Sequence, residues 1–198
     1  MSFKLAILLL VLSETADKES LRFAYSAEQG YDSSCGLTTL AYFMDRFWGV
    51  PTDETTLAGE FFLDELTASD LTVSFADMAG ILEARGFEWK AFRMSFEQFA
   101  AALARYAPLI VHYDKPEGHF SLALSAQDGE IIVADPAEGA VALRRRYFEA
   151  KWSGAVLAAV LPSAALNRKL LKEAVRFVRD RNALLDRVVS RAYGFSSW

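Results

Sequence analysis

The chain is 198 residues long, 53% hydrophobic and 24% charged, which fits one globular domain able to bury a real core. Its single cysteine, Cys35, excludes an internal disulfide and a cysteine-based zinc cluster, and two histidines, His112 and His119, leave little for a metal site. The net charge of −5 is uneven: residues 163–198 hold eight Lys/Arg against three acids, so the tail is basic and the body strongly acidic. That argues against nucleic acid as the main ligand and hints that the tail has a partner of its own.

The chain opens with one lysine, Lys4, and then an apolar run from Leu5 to Leu12. The run fits the core of a short signal peptide and is too short to span a bilayer. Val11-Leu12-Ser13 is an acceptable cleavage pattern and Glu14-Thr15-Ala16 a worse one. The other reading is a buried strand or helix of the mature fold. Export to the periplasm or beyond is the expected localisation, with the cytoplasm as alternative. Residues 1–20 are set apart as signal peptide or extension, 21–162 as the domain, and 163–198 as an appended helix.

Ser33 and Ser34 stand as polar caps before a helix from Cys35 to about Trp48, with Leu37, Leu40, Ala41, Met44 and Phe47 at helical spacing. Gly49 and Pro51 stop it. Thr52 to Leu66 reads as a second, acidic helix. Ser74 with Asp77 forms a capping box for a third helix, ending at Gly86. Phe87 to Met94 reads as a strand, and Ser95 with Gln98 caps a helix to about Tyr106. Leu109–Tyr113 and His119–Ala126 are strands, and Asp128-Gly129 is a two-residue hairpin turn into Glu130–Asp135. Val141–Arg144, a short helix near Tyr147–Trp152 and a strand closed by Pro162 follow. Ser163 to about Tyr193 forms one basic amphipathic helix, whose apolar face includes Leu170, Leu171, Val175, Val178, Leu185, Val188 and Val189. Helices first, then an antiparallel sheet, make an α+β layout.

A lone cysteine is most often a small buried hydrophobe. A free thiol, with pKa about 8.5, is a poor nucleophile at neutral pH; a helix N-terminus and a nearby imidazolium activate it. Cys35 opens a helix, and Gly36 lets a substrate backbone come close. His119 starts its strand, so its imidazole can project from the sheet edge toward a cleft. Asp135 ends the partner strand. The Asp128-Gly129 turn pairs residues whose numbers total 257, which puts His119 opposite residue 138. Asp135 is then close but not opposite, and a bulge or longer loop would bring it in to orient the imidazole. Asp135 also reads as an ordinary Asp-Pro turn former. Gln29, six residues before Cys35, lies within reach to donate a second hydrogen bond, beside the Cys35 amide, to an oxyanion. Asp32 is expected to cap the turn before the helix, and His112, among apolar neighbours, to be structural.

The separated elements Gln29, Asp32, Cys35-Gly36, Gly118-His119-Phe120 and Asp135-Pro136…Gly139 resemble the papain-like bacteriocin-processing, or double-glycine-leader, cysteine peptidases. Tyr147-Phe148…Trp152-Ser153-Gly154 and Gly86–Phe99 are similar too, so the likeness covers about residues 22–162. The resemblance implies a papain-like fold with Cys35 as nucleophile, His119 as general base and acid, Asp135 as orienter and Gln29 as oxyanion donor. Gly36 and Gly118 would approach substrate. It implies no metal or organic cofactor, an exported peptide or protein as substrate, and cleavage after small residues. Ser34 stands where transporter-linked members usually place Asp, which looks like the stand-alone branch; some of its members look tied to secretion of functional amyloid. Two rivals stay open: a non-cleaving docking module of a secretion system, and a thiol acyltransferase using the same residues. The tail helix is expected to pack on the domain, a secretion partner or an acidic membrane surface.

Overall fold

The structure, a computed structural model, describes residues 20–62 and 70–193. The signal-peptide reading and the end of the predicted second helix lie outside the described residues.

Four helices come early. Helix α1 (Cys35–Tyr42) runs into a π-helical turn (Phe43–Phe47), and Gly49, at φ +66°, ends it in the left-handed region. Helix α2 (Glu54–Phe61) starts two residues later than expected because Asp53 caps it, accepting from Thr56 N at 2.7 Å. Helix α3 (Phe75–Ala84) and helix α4 (Phe96–Tyr106) each open with the reciprocal capping box foreseen at Ser74/Asp77 and Ser95/Gln98. Strand β1 (Glu88–Arg93) lies between them. Strands β2 (Leu109–Tyr113), β3 (His119–Gln127), β4 (Glu130–Asp135) and β5 (Gly139–Arg144), helix α5 (Arg145–Lys151), strand β6 (Trp152–Val160) and helix α6 (Arg168–Tyr193) follow.

All strand pairs are antiparallel, and the six-stranded sheet runs β1-β6-β2-β3-β4-β5. Both faces are covered, which is why β2 reads as an unbroken apolar run and not as an alternating one. On one face Ile110, Phe120, Leu122 and Leu124 pack against Leu37, Leu40 and Met44 of the first helical segment and Met78 and Leu82 of α3. On the other, Leu109, Val111, Tyr113, Ala123 and Val133 meet Phe99 and Leu103 of α4 and Phe148 of α5. Burial of these two layers removes most of the apolar area from water, the main drive to fold.

The β3–β4 hairpin turns at Asp128 and Gly129, at φ +55° and +74°, the two left-handed residues that a tight primed turn requires. Ser125↔Ile132 to Gln127↔Glu130 keep the expected register; the register then slips by one at Leu124, giving Ala123↔Val133 and Leu122↔Ala134. This is the bulge that draws Asp135 toward the start of β3.

Helix α6 begins at Arg168, five residues later than expected, because Asn167 caps it: Oδ1 accepts from Leu170 N at 3.1 Å, while the Asn167 amide groups donate to Phe47 O and Arg46 O. Leu170, Ala174 and Val178 are buried against the domain, and Arg181 donates to Ala140 O at 2.6 Å. Leu184, Leu185, Val188 and Val189 continue the same apolar stripe but stay exposed.

Candidate active site

Helix α1 presents its N-terminus at one end of the sheet. Neither serine before it caps the helix: Ser34 Oγ donates to Tyr31 O at 2.8 Å, and Ser33 Oγ accepts from Leu71 N at 2.7 Å. The expected caps instead tie down the loop, and no side chain caps the first turn of the helix with a hydrogen bond. Those amides, with the positive end of the helix dipole, favour an anion beside Cys35. Cys35 sits at the edge of the core, 9% exposed, and lines a cleft of about 1270 Å³ together with Gln29, Gly36, Gly118, His119 and Asp135. All the residues singled out in the sequence for chemistry are therefore brought to one place. A second cavity, of about 510 Å³, lies beside Thr38, Ala41 and Tyr42 and contains none of them.

The imidazole of His119 faces both Asp135 and Cys35 in the cleft. Nε2 lies 2.9 Å from Asp135 Oδ2, and the Cys35 side chain is close enough to act on the ring electrostatically. With Nε2 engaged, Nδ1 is the nitrogen left for the sulfur. Burial disfavours the imidazolium, but Asp135 and Cys35 together outweigh it, so the pKa of His119 is pushed up to about 10. That balance favours a protonated ring beside Cys35.

Asp135 makes the contacts of both readings weighed for it. Its Oδ1 accepts from Ala137 N at 2.9 Å and Glu138 N at 3.0 Å, closing the Asp-Pro turn, while Oδ2 faces His119. The turn therefore fixes the carboxylate beside the ring. An N-terminal strap holds the turn from outside: Ser26 Oγ donates to Asp135 O, Arg22 to Ala137 O and Glu138 O, and Gln29 N to Pro136 O. No sequence signal pointed to this strap.

Gln29 is in the cleft, but its amide is folded onto its own loop. Nε2 donates to Tyr31 O at 2.9 Å and Asp32 O at 3.2 Å, and Oε1 is buried without a partner. Asp32 takes part through its backbone carbonyl. Gly36 proves to be a packing glycine as well as a cleft residue: a Cβ there would run into Val73 and lie 2.7 Å from Met78 Cε and 3.3 Å from Phe120. Space beside Gly118 is open, with His112 Nε2 at ordinary contact.

His112 is expected from the sequence to be structural. Its side chain is 26% exposed and lines the cleft, packed on Phe75 and Phe120, with Nδ1 3.5 Å from Asp114 Oδ1. It is on the α1 face because it alternates with Val111 and Tyr113. Burial holds its pKa below the ordinary value, against the pull of Asp114. Tyr113, unmarked in the sequence reading, lies directly across from His119 in the β2–β3 pair; a strand–turn–strand count over Asp114–Gly118 is the one signal that would have found it.

The model of the Peptidase C39 family matches residues 24–163. A curated relative, the probable functional amyloid protease FapD of Pseudomonas aeruginosa, is 25% identical over 153 residues, spanning 76% of this chain and 67% of that protein. Among solved structures, the peptidase domain of Streptococcus ComA, a bifunctional ABC transporter, superposes with a TM-score of 0.58 at 17% identity, over 68% of this chain and 96% of that one. A double-glycine-motif protease from an AMS/PCAT transporter, solved with a leader peptide, gives 0.54 at 19% identity, over 68% and 89%. These likenesses carry the papain-like fold.

Proposed function

The chain belongs to the Peptidase C39 family and is a cysteine peptidase, and from that premise we propose that Cys35, His119 and Asp135 carry out the cleavage of a leader from an exported peptide or protein. The observation that supports this most is one imidazole hydrogen-bonded to the Asp135 carboxylate and lining the same open cleft as Cys35, which starts a helix.

Chemically, the Cys35 sulfur attacks the scissile carbonyl, and the carbonyl oxygen takes up negative charge. The Cys35 amide donates to that oxygen, and Gln29 adds a second donor once one of its N–H groups leaves a loop carbonyl. His119 passes its proton to the leaving amine, and a thioester remains. The ring, now neutral, takes a proton from water, and hydroxide attack releases the acid and restores the sulfur. Asp135 keeps the ring in the tautomer this requires.

Paired glycines before the cut are the expected preference, from the solved double-glycine-motif protease. The FapD relative suggests a secreted amyloid-forming protein, or a component of its export, as substrate class. Export of the enzyme itself rests on the Leu5–Leu12 run, and α6 would supply contact with a secretion partner or a membrane.

The test is co-expression with a reporter bearing a Gly-Gly leader and, separately, with a secreted amyloid subunit. Wild type should shorten one of them and Cys35→Ala neither. If Cys35→Ala processes as well as wild type, the assignment fails. If wild type retains the substrate on a column without cutting it, the docking reading replaces this one.

A further inference from the structure

Asp135 holds His119 at one atom only, Nε2. One hydrogen bond leaves a ring free to turn about that bond, so something else must set its plane. Tyr113 is placed to do this. It pairs directly with His119 across β2 and β3, and the two rings lie within 16° of parallel with centroids 5.9 Å apart, inside the range of an offset stack.

Tyr113 is itself immobilised. It is 4% exposed, and its hydroxyl pairs with the fully buried Ser121 Oγ at 2.8 Å. The edge of Phe148 meets it at 5.8 Å and 83°, and Phe148 stacks on Phe99 at 5.2 Å and 16°. A column of rings therefore runs from the core under α4 and α5 to the imidazole. Burial raises the Tyr113 pKa above its ordinary value, so the phenol stays neutral beside Asp135.

We propose that Tyr113 is a positioning residue of the active site: its ring sets the plane of the His119 imidazole and so aims Nδ1 at the Cys35 sulfur. It acts through His119 and not on the sulfur, and the inference rests on the pairing of Cys35 with His119 proposed above.

The experiment compares wild type, His119→Ala, Tyr113→Leu and Tyr113→Phe. Alkylation of Cys35 by iodoacetamide is followed from pH 5 to 9, along with cleavage of a Gly-Gly reporter peptide. Misaiming the ring should lower both the alkylation rate at pH 6 and kcat about 10-fold in Tyr113→Leu, with KM within about twofold. Tyr113→Phe, which keeps the ring, should recover most of that loss. A folded Tyr113→Leu protein that matches wild type overturns the proposal. So does a rise in KM at constant kcat, which would make Tyr113 a substrate contact. Should Tyr113→Leu fail to fold, the ring protons of His119 decide: in wild type and Tyr113→Phe they should resonate upfield of their unfolded positions, and unshifted protons would overturn the stack. The two failures are separable. If wild type alkylates like free cysteine and His119→Ala is no different, the Cys35–His119 pairing itself falls, and Tyr113 with it. If alkylation depends on His119 but not on Tyr113, only the present inference falls.

Discussion

Asp135→Asn should disable the site without unfolding the turn. In the wild type, Oδ1 accepts from two backbone amides, Ala137 N and Glu138 N, and Oδ2 faces His119 Nε2. An asparagine can satisfy both amides only by putting its carbonyl oxygen in the place of Oδ1. Its NH2 group then faces Nε2, where a donor meets a nitrogen that has to carry a proton. The ring must give that proton up and keep its hydrogen on Nδ1, toward the sulfur, so it no longer acts as base. Folding raises the His119 pKa from 6.5 to about 10, against the opposing effect of burial, and Asp135 is the largest of the raising influences. Its loss should remove at least half of that gap, roughly 2.5 kcal/mol at about 1.4 kcal/mol for each tenfold change. NMR titration of the His119 ring should show its pKa falling by about two pH units or more. The cleavage rate should fall roughly 10³-fold or more, as expected when a triad base is locked in the wrong tautomer. The melting temperature should move little. An unchanged His119 titration, or wild-type kcat in a folded Asp135→Asn protein, would refute this reasoning.

Gln29→Ala should lower kcat about 10²- to 10³-fold with little change in KM, as for loss of one oxyanion donor; a pure KM effect would place Gln29 in substrate binding. Gly36→Ala should cost about 1–3 kcal/mol in denaturant unfolding, because its Cβ would press on Val73 and on Met78 at 2.7 Å. Val178→Asp should destabilise by about 3 kcal/mol or more and Leu185→Asp by less than about 0.5 kcal/mol, since Val178 is buried and Leu185 54% exposed; equal effects would contradict the packing of α6. Stability should also depend on pH through His119, whose folded pKa of about 10 exceeds 6.5. That contribution is complete below about pH 6.5 and fades as pH rises toward 10. The melting temperature of wild type relative to His119→Phe should therefore decline between pH 6 and 10, and a constant difference would contradict the ring's charge state.

What could be read from the sequence was short-range. The two capping boxes, the Asp128-Gly129 turn and the opening of a helix at Cys35 depend on residues within four positions of each other, and the structure has all of them. The motif residues gather in one cleft, and counting the register called for a bulge or a longer loop, of which the structure has the bulge. What stayed hidden depends on contacts between distant segments. β6 lies between β1 and β2, a pairing that no local pattern encodes. Ser33 and Ser34 are good caps by composition, yet Leu71 N and Tyr31 O claim their hydroxyls. Gly36 was read for substrate access, whereas its lack of a side chain is also demanded by Val73 and Met78 from another segment. That His112 lines the cleft was not legible because β2 is covered on both faces, so apolar neighbours do not tell which side faces the cleft. Tyr113 carries no motif, and its meaning appears only once β2 and β3 are paired.

The proposed mechanism depends on His119 activating the Cys35 sulfur as nucleophile. The most direct measurement is the rate of Cys35 alkylation by iodoacetamide against pH, in wild type and in His119→Ala. Wild type should keep most of its rate down to about pH 6, while His119→Ala should react appreciably only as pH approaches the ordinary thiol range near about 8.5. Superimposable profiles, both rising near about 8.5, would contradict that activation.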